Sequence, residues 1–277
     1  MTAVEKAIPE KNIVVLAPHY DDVVLTFGGY FNGLVKSGKL KDKKVRIVHV
    51  FSRSNYQAHD NRGNRNPSLR RVQFATGIRL MEDLECLDDL LGHGNYSYEL
   101  KAERECVVRL ASWKKGGEFE FPQGNPSTFD KEAKRIFATL KSYAAEWVAP
   151  ADTAVLLPLC IKEPVDHVML RDAILETKHA LHGKAKAALY LGEDQPYTGL
   201  ADDRDWRIAN TWLAGHHAEA INYAIDADRK AALVKKHYPS QYEDHYREGI
   251  LKRAHALAKE MLLPVGGVER MYRLSHI

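Results

Sequence analysis

The sequence predicts an α/β fold: a mainly parallel sheet covered by helices on both faces. Three observations predict it. Short apolar runs alternate with segments of helical spacing, which is the pattern of strand–helix–strand units. The runs are unbroken and rich in β-branched residues, as expected of strands buried on both faces. The chain of 277 residues has no repeat, low-complexity tract or linker that would divide it. One domain over 1–277 is therefore expected, with a core over about 10–200 and a mostly helical C-terminal part over about 202–277.

Residues 12–17 form the first run and read as a buried strand. Residues 21–36 have helical spacing, with Val24, Phe27, Phe31 and Val35 on one side. Gly28 and Gly29 lie inside that helix, where glycine costs about 1 kcal/mol relative to alanine. Close packing against the sheet or a ligand is a sufficient reason for them. A second strand, 45–51, completes a βαβ unit, expected to be right-handed. A long polar loop covers 52–67, and such loops often carry function. Residues 68–91 read as one long helix, or as two joined near Gly77, ending at Gly92. Gly116-Gly117 and 121–126 mark an irregular stretch. Thr128 is a plausible N-cap for an amphipathic helix over 128–147. Then come a strand at 154–159, a helix at 166–182 and a strand at 185–191. Beyond 202 the pattern is mostly helical, with a polar hinge at His237-Tyr238-Pro239-Ser240.

The chain is 45% hydrophobic and 28% charged, with a formal net charge of +3. Its densest basic stretch holds Arg62, Arg65, Arg70 and Arg71, which a polar loop entering a helix explains. Nucleic-acid binding is not expected. The cysteines, Cys86, Cys106 and Cys160, are three in number, widely spaced and free of any C-x-x-C pair. That argues against a disulfide framework or a cysteine-based zinc site. No apolar run is long enough to span a membrane, and residues 1–11 lack a signal-peptide core. A cytoplasmic location without a membrane partner is expected. Helices beyond Trp206 can pack on the domain or on a second copy, which leaves a homo-oligomer open.

The chemistry concentrates at strand ends. Ala17-Pro18-His19-Tyr20-Asp21-Asp22 follows the first strand directly. In open α/β sheets ligands bind at that edge. His19 and Asp22 can grip one metal ion together while Asp21 stays free for proton transfer. The competing explanation is a helix N-terminus, where carboxylates suit the dipole. The strand at 154–159 runs into Cys160-Ile161-Lys162-Glu163-Pro164-Val165-Asp166-His167, which brings a second imidazole to the same edge. Two imidazoles and one carboxylate make a common catalytic zinc set with a position open for water. Zinc lowers the pKa of that water and polarises a carbonyl, and Asp21 can take its proton. Asp166 can orient an imidazole from behind. Iron is an alternative to zinc in such a site.

At these residues the chain resembles a known family. Pro18-His19-Tyr20-Asp21-Asp22 is similar to the His-Pro-Asp-Asp signature of the PIG-L/LmbE-like zinc-dependent N-acetylglucosaminyl de-N-acetylases. Arg79-Leu80-Met81-Glu82-Asp83, with Leu91-Gly92, resembles that family's Arg-x-x-Glu helix and its Leu-Gly end. Val165-Asp166-His167 resembles the end of a His-x-Asp-His motif. Leu191-Gly192-Glu193-Asp194-Gln195-Pro196-Tyr197 resembles a Glu-Asp-x-Pro-Tyr segment, and Tyr238-Pro239-Ser240-Gln241 a Tyr-x-Ser-Gln segment. The matches keep the family's order over nearly the whole chain. The resemblance implies a Rossmann-like fold and metal-dependent removal of an N-acetyl group from an amino-sugar conjugate. It implies metal ligation by His19, Asp22 and His167, a general-base role for Asp21 and substrate contact by Arg79. For Arg79 a surface ion pair with Glu82 is the alternative.

There are departures from the pattern. Tyr20 replaces the usual proline, and Pro164 stands where the family has the first histidine of His-x-Asp-His, an imidazole placed to stabilise an oxyanion or to protonate the leaving amine. Lys162, Glu163, His59 and His93 are candidates to replace it. The family's acidic residue after Leu91-Gly92 has only Glu99 and Glu103 as loose counterparts. Two further readings follow. One is a metal-holding carbohydrate-binding member with little or no turnover. The other is a nucleotide-binding or methyl-transfer module, suggested by Gly28-Gly29. Trp206 is the aromatic residue most suggestive of a sugar contact.

Overall fold

A computed structural model describes residues 2–58, 68–109, 131–263 and 266–275. Thr128, Gly116-Gly117, His59, Arg62 and Arg65 lie outside the described residues. In chain order the elements are α1 (Val4–Ala7), β1 (Asn12–Ala17), α2 (Asp22–Lys36), β2 (Lys44–His49), α3 (Leu69–Leu91), β3 (Tyr96–Leu100), α4 (Cys106–Arg109) and α5 (Ala133–Val148). They continue with β4 (Thr153–Pro158), α6 (Val165–Leu181), β5 (Ala188–Gly192), α7 (Asp203–Gly215), β6 (Ala218–Ile225), α8 (Ala227–His237), α9 (Asp244–Glu260) and β7 (Gly267–Leu274).

The described strands form one sheet of order β3-β2-β1-β4-β5-β7-β6. The strands from β3 to β5 pair in parallel, and β7 and β6 are added antiparallel at one edge. This is the expected α/β architecture. Along β1, Ile13, Val15 and Ala17 pack under α2, α3, α8 and α9. Val14 and Leu16 pack under α5, α6 and α7. Successive residues enter opposite cores because strand side chains alternate, and that is why the run is apolar without a break.

The order reverses between β1 and β4. β2 and β3 lie on one side of β1, and β4 and β5 on the other. A crevice outside the carboxyl ends of the strands opens at such a switch point. The segments after β1 and after β4, which carry the His-Asp and His motifs, flank it.

Three strands carry little sequence signal. β3 is a half-exposed edge, Tyr-Ser-Tyr-Glu-Leu, and β6 is largely exposed. β7 carries charged residues within its run. The part beyond 202 is thus helical over α7, α8 and α9, with two strands interleaved. Residues 68–91 form a single helix: Ser68 Oγ accepts from Arg71 N at 3.2 Å, and Gly92 ends the helix at φ 84°.

Gly28-Gly29 lies well inside α2 and not in a strand-to-helix loop, so it cradles no phosphate. The carboxylate of Glu269 on β7 approaches α2 there. It accepts from Gly29 N at 3.2 Å, Tyr30 N at 3.1 Å and Tyr223 Oη at 3.0 Å. Lys230 Nζ is 2.5 Å from the same carboxylate and donates to Leu25 O at 2.7 Å. A Cβ at Gly29 would stand 2.6 Å from Glu269 Cδ, so packing against the sheet is what requires glycine.

Candidate metal centre

β1 hands over to α2 through a tight turn in which His19 N donates to Asp22 Oδ2 at 2.7 Å. Val50 N and Phe51 N donate to Ala17 O and Pro18 O, both at 3.0 Å, and so carry the β1–β2 ladder up to the turn. Across the switch point, Pro164 is the N-cap of α6 and His167 lies in its first turn. Asp22 Oδ2 is 3.6 Å from His19 Nδ1 and 3.4 Å from His167 Nε2. One ligand atom from each of the three residues falls within 4.8 Å of the others. The two imidazole centroids are 5.2 Å apart.

Behind each imidazole stands a carboxylate. Asp166 Oδ2 is 3.0 Å from His19 Nε2 and accepts Cys106 N at 2.8 Å, while its Oδ1 accepts from Arg109 Nη2 at 2.7 Å. Burial alone would raise the Asp166 carboxyl, but Arg109 and His19 outweigh it and hold it well below the usual carboxylate range. Asp194 Oδ2 is 3.5 Å from His167 Nδ1. Among the described residues, neither of those buried atoms has a hydrogen-bond partner. Asp194 Oδ1 is anchored by Ile161 N at 3.1 Å.

The three donors fit a divalent cation. Burial would lower the His19 imidazole, yet Glu105, Asp166 and Asp22 raise it to about 9. His167 is likewise raised, with Asp22 and Asp194 overcoming burial. Without a metal, then, the carboxylates draw protons onto both rings. A cation can take the place of those protons at the nitrogens facing Asp22.

Asp21 points away from this set. Its Oδ1 is 3.3 Å from Arg79 Nη2. Arg79 Nη1 donates to Ser54 Oγ at 2.7 Å and to both Glu105 oxygens at 2.9 and 3.1 Å. The guanidinium is 2% exposed, so Arg79 is not a surface partner of Glu82. Glu82 instead accepts from Ser240 N at 2.8 Å and Ser240 Oγ at 2.6 Å. Tyr238 Oη donates to Asp83 at 2.8 Å. The Tyr-Pro-Ser-Gln segment is thus clamped onto α3.

Glu105, Asp194 and His49 escaped the sequence reading as site residues. Glu99 and Glu103, the acidic residues considered there, pair at the periphery with Arg46 and Arg135. Glu105, 2% exposed, is the one drawn inward by Arg79. His49 lies against the far side of the His19 turn. Its Nδ1 is 3.1 Å from His19 O, and its Nε2 is 3.0 Å from Asp83 Oδ2. Its position as the last residue of β2, paired with Ala17 just before the His19 turn, was the available signal.

Among the candidates to replace the imidazole at position 164, His93 is exposed and contacts Asp88. Lys162 and Glu163 line a separate cavity with Arg171, Arg204 and Trp212. Trp206 lies under the Arg253 guanidinium at 4.2 Å, and Arg253 in turn pairs with Glu193.

No protein-family model and no curated protein sequence matches the chain. Solved structures do. The zinc-inhibited form of teicoplanin deacetylase Orf2 superposes with a TM-score of 0.63 at 18% identity, covering 95% of this chain and 97% of that one. N,N'-diacetylchitobiose deacetylase from Pyrococcus horikoshii gives 0.52 at 15% identity over 98% and 87%. GalB, the 4-carboxy-2-hydroxymuconate hydratase of Pseudomonas putida, gives 0.54 at 13% identity over 96% and 97%. At these identities the likeness is one of fold: the chain has the fold of the PIG-L/LmbE-like zinc deacetylases.

Proposed function

We propose that the protein is a metal-dependent hydrolase that removes an N-acetyl or related acyl group from an amino-sugar-containing small molecule. The observation that carries the reading is the gathering of His19, Asp22 and His167 at the β1/β4 switch point, with Asp21 beside them and outside the ligand set. The deacetylases that share this fold support it.

His19, Asp22 and His167 would hold the ion, zinc or alternatively Fe²⁺. When bound, it supplies Lewis acidity at the amide carbonyl and acidifies water. Asp166 takes the Nε2–H of His19, which leaves Nδ1 unprotonated and facing Asp22. Asp194 Oδ2, 3.5 Å from His167 Nδ1, would take that N–H on closing and leave Nε2 facing Asp22. Asp21 accepts the proton of the attacking water and returns it to the nitrogen of the leaving amine as the C–N bond breaks. Arg79, almost wholly buried, acts through Asp21 by fixing its Oδ1, so that Oδ2 meets the water.

A second reading is a metal-holding carbohydrate-binding protein without turnover. It is favoured by Pro164, which offers no N–H where the family pattern has an imidazole. Elemental analysis after exhaustive dialysis, together with acetate release from a panel of N-acetyl amino sugars, separates the two. The hydrolase reading expects about one metal ion per chain, lost in His167→Ala, and acetate release abolished in Asp21→Asn with the metal retained. Metal without turnover on any acyl amino sugar turns the choice to the second reading. Failure of the protein to take up metal, even when zinc is supplied, overturns both.

A further inference from the structure

A cavity of about 110 Å³ lies between the β4–α6 connection and the helices α6 and α7. One water needs roughly 10–15 Å³ of such space and a drug-sized ligand about 300–1,000 Å³, so the cavity is sized for one polyatomic group. Among the described residues its charged lining is Lys162 and Glu163 of the connection, Arg171 of α6, and Arg204 and Asp205 of α7, with Trp212 of α7 beside them. The connection holds an uncommon backbone, with Cys160, Lys162 and Glu163 at φ 69°, 60° and 51°. Residues other than glycine rarely enter that region, and such strain gathers at ligand clamps.

Arg171 is built into the wall and is only 7% exposed. Its Nε donates to Asp172 Oδ1 at 2.9 Å and its Nη1 to Leu159 O at 3.3 Å. The guanidinium carbon lies 4.4 Å from the centre of the Trp212 ring, and the His216 imidazole stacks on the same indole at 3.9 Å. The indole therefore supports the guanidinium and is not a platform for a sugar. Among the described residues Arg171 Nη2 has no hydrogen-bond partner, and it is not sealed inside the protein. It is the donor that this wall leaves for a ligand. Two more cations reach the cavity from other elements: Lys162, half-buried, and Arg204, at the exposed rim. Neither forms an ion pair among the described residues. Of the two carboxylates, Asp205 is tied to the start of α7, where its Oδ2 accepts Asp202 N at 3.1 Å. Glu163 has no such tie and opposes an anion.

We propose that this cavity binds a phosphate group. Cations from three separate elements suit an anion with three terminal oxygens, whereas a carboxylate offers two. The proposal does not depend on the amide hydrolysis. Short links join the cavity to the metal set. Arg171 follows His167 by one turn on the same side of α6, about 6 Å along its axis. Ile161 N, in the connection, donates at 3.1 Å to Asp194, the carboxylate behind His167. The phosphate is either a substituent of the substrate or a free ion.

Calorimetric titration with inorganic phosphate, on the purified protein before and after chelator treatment, tests this. The wild type should bind one phosphate per chain in both states, since the cavity holds none of the proposed metal ligands. Binding that disappears with the metal overturns the proposal, as does absence of binding up to about 10 mM phosphate. Arg171→Gln should abolish binding. Lys162→Gln should weaken it about tenfold, the scale of a hydrogen bond to a charged group, and Arg204→Gln, at the rim, about two- to fivefold. Glu163→Gln should tighten it by removing the opposing charge. If Arg171→Gln fails to fold, Lys162→Gln and Glu163→Gln decide, and unchanged affinity in both overturns the proposal. Acetate should bind at least about tenfold more weakly than phosphate, because fewer donors reach it; equal affinity would make this a carboxylate site and overturn the proposal. N-acetylglucosamine 6-phosphate then identifies the source. Tighter binding than inorganic phosphate makes the group part of the substrate, and equal or weaker binding makes it a free ion; either outcome supports the site. No reading depends on acetate release, so the hydrolase reading stands or falls separately.

Discussion

Asp166 Oδ2 stands 3.0 Å from His19 Nε2, although the two residues come from opposite sides of the switch point. The next residue, His167, turns its own Nε2 to within 3.4 Å of Asp22. The first turn of α6 thus supplies both a prospective ligand and the support for another ligand. That arrangement couples the spacing of β1 and β4 to the geometry of the metal set.

Replacing either supporting carboxylate should weaken the metal and leave the fold intact. Asp166→Asn and Asp194→Asn are each expected to lower zinc affinity about 10–100-fold, the usual effect of losing an imidazole's outer partner. Competition with a chelator of known affinity measures this. Unchanged affinity in both would show that the two carboxylates serve packing only.

Arg79 makes a contrasting prediction, on stability. Its guanidinium bridges Glu105, Asp21 and Ser54 in a buried setting. Arg79→Leu strands the Glu105 carboxylate, which is 2% exposed. A loss of about 3–5 kcal/mol is expected by urea unfolding, because an uncompensated buried charge remains. Arg79→Lys should lose less stability and still impair turnover, since a point charge cannot fork to three acceptors.

Why some of this was legible in the sequence and some not has a physical basis. β1, β2, β4 and β5 are buried on both faces, so their apolar runs announce them. β3, β6 and β7 pack on one face or carry buried ions, so their strings read as polar. His19 and Asp22 were visible because they follow the end of β1 by two and five residues, and His167 because it follows β4 by nine across a short connection. Glu105 was not, since its burial depends on Arg79, 26 residues earlier on a different element. His49 was hidden in a strand already explained by its apolar neighbours. Gly29 was noted, but its reason is Glu269, 240 residues away.

The raised His19 imidazole sets a pH dependence for the metal-free protein. Its pKa is about 9 in the folded state against 6.5 for a free imidazole. The folded chain therefore holds a proton that the unfolded chain lacks between those values. This stabilisation is complete below about pH 6.5 and is lost as pH rises through 9, with a slope of up to about 1.4 kcal/mol per pH unit. His167 is shifted in the same direction. Melting temperatures of chelator-treated protein should fall from pH 7 to 9, and the fall should flatten in His19→Asn. Zinc affinity should rise over the same range, because the cation displaces these protons. A flat stability profile in the metal-free wild type would remove the protonated imidazole from the account.

Two helical glycines give opposite expectations from the same substitution. Among the described residues beyond its own stretch of helix, Gly77 in α3 has no atom within 4 Å of the position a Cβ would take. Gly77→Ala should raise stability by about 0.5–1 kcal/mol through helix propensity and reduced freedom of the unfolded chain. Gly29 in α2 offers the same gain in propensity, but its Cβ would stand 2.6 Å from Glu269 Cδ and 2.5 Å from Ile225 Cγ2. Glu269 cannot move aside cheaply, since it is tied to Lys230, Tyr223 and two α2 amides. Overpacking of this kind costs about 1–3 kcal/mol, so Gly29→Ala should be destabilising on balance. The shift also strikes the helix whose N-cap is Asp21 and whose first residue is Asp22. Calorimetric unfolding of both variants, with zinc titrated into each, should therefore find Gly77→Ala more stable with unchanged zinc binding and Gly29→Ala less stable with weaker binding. Equal stabilisation by both would mean that the Glu269 carboxylate yields freely and does not hold α2 in place.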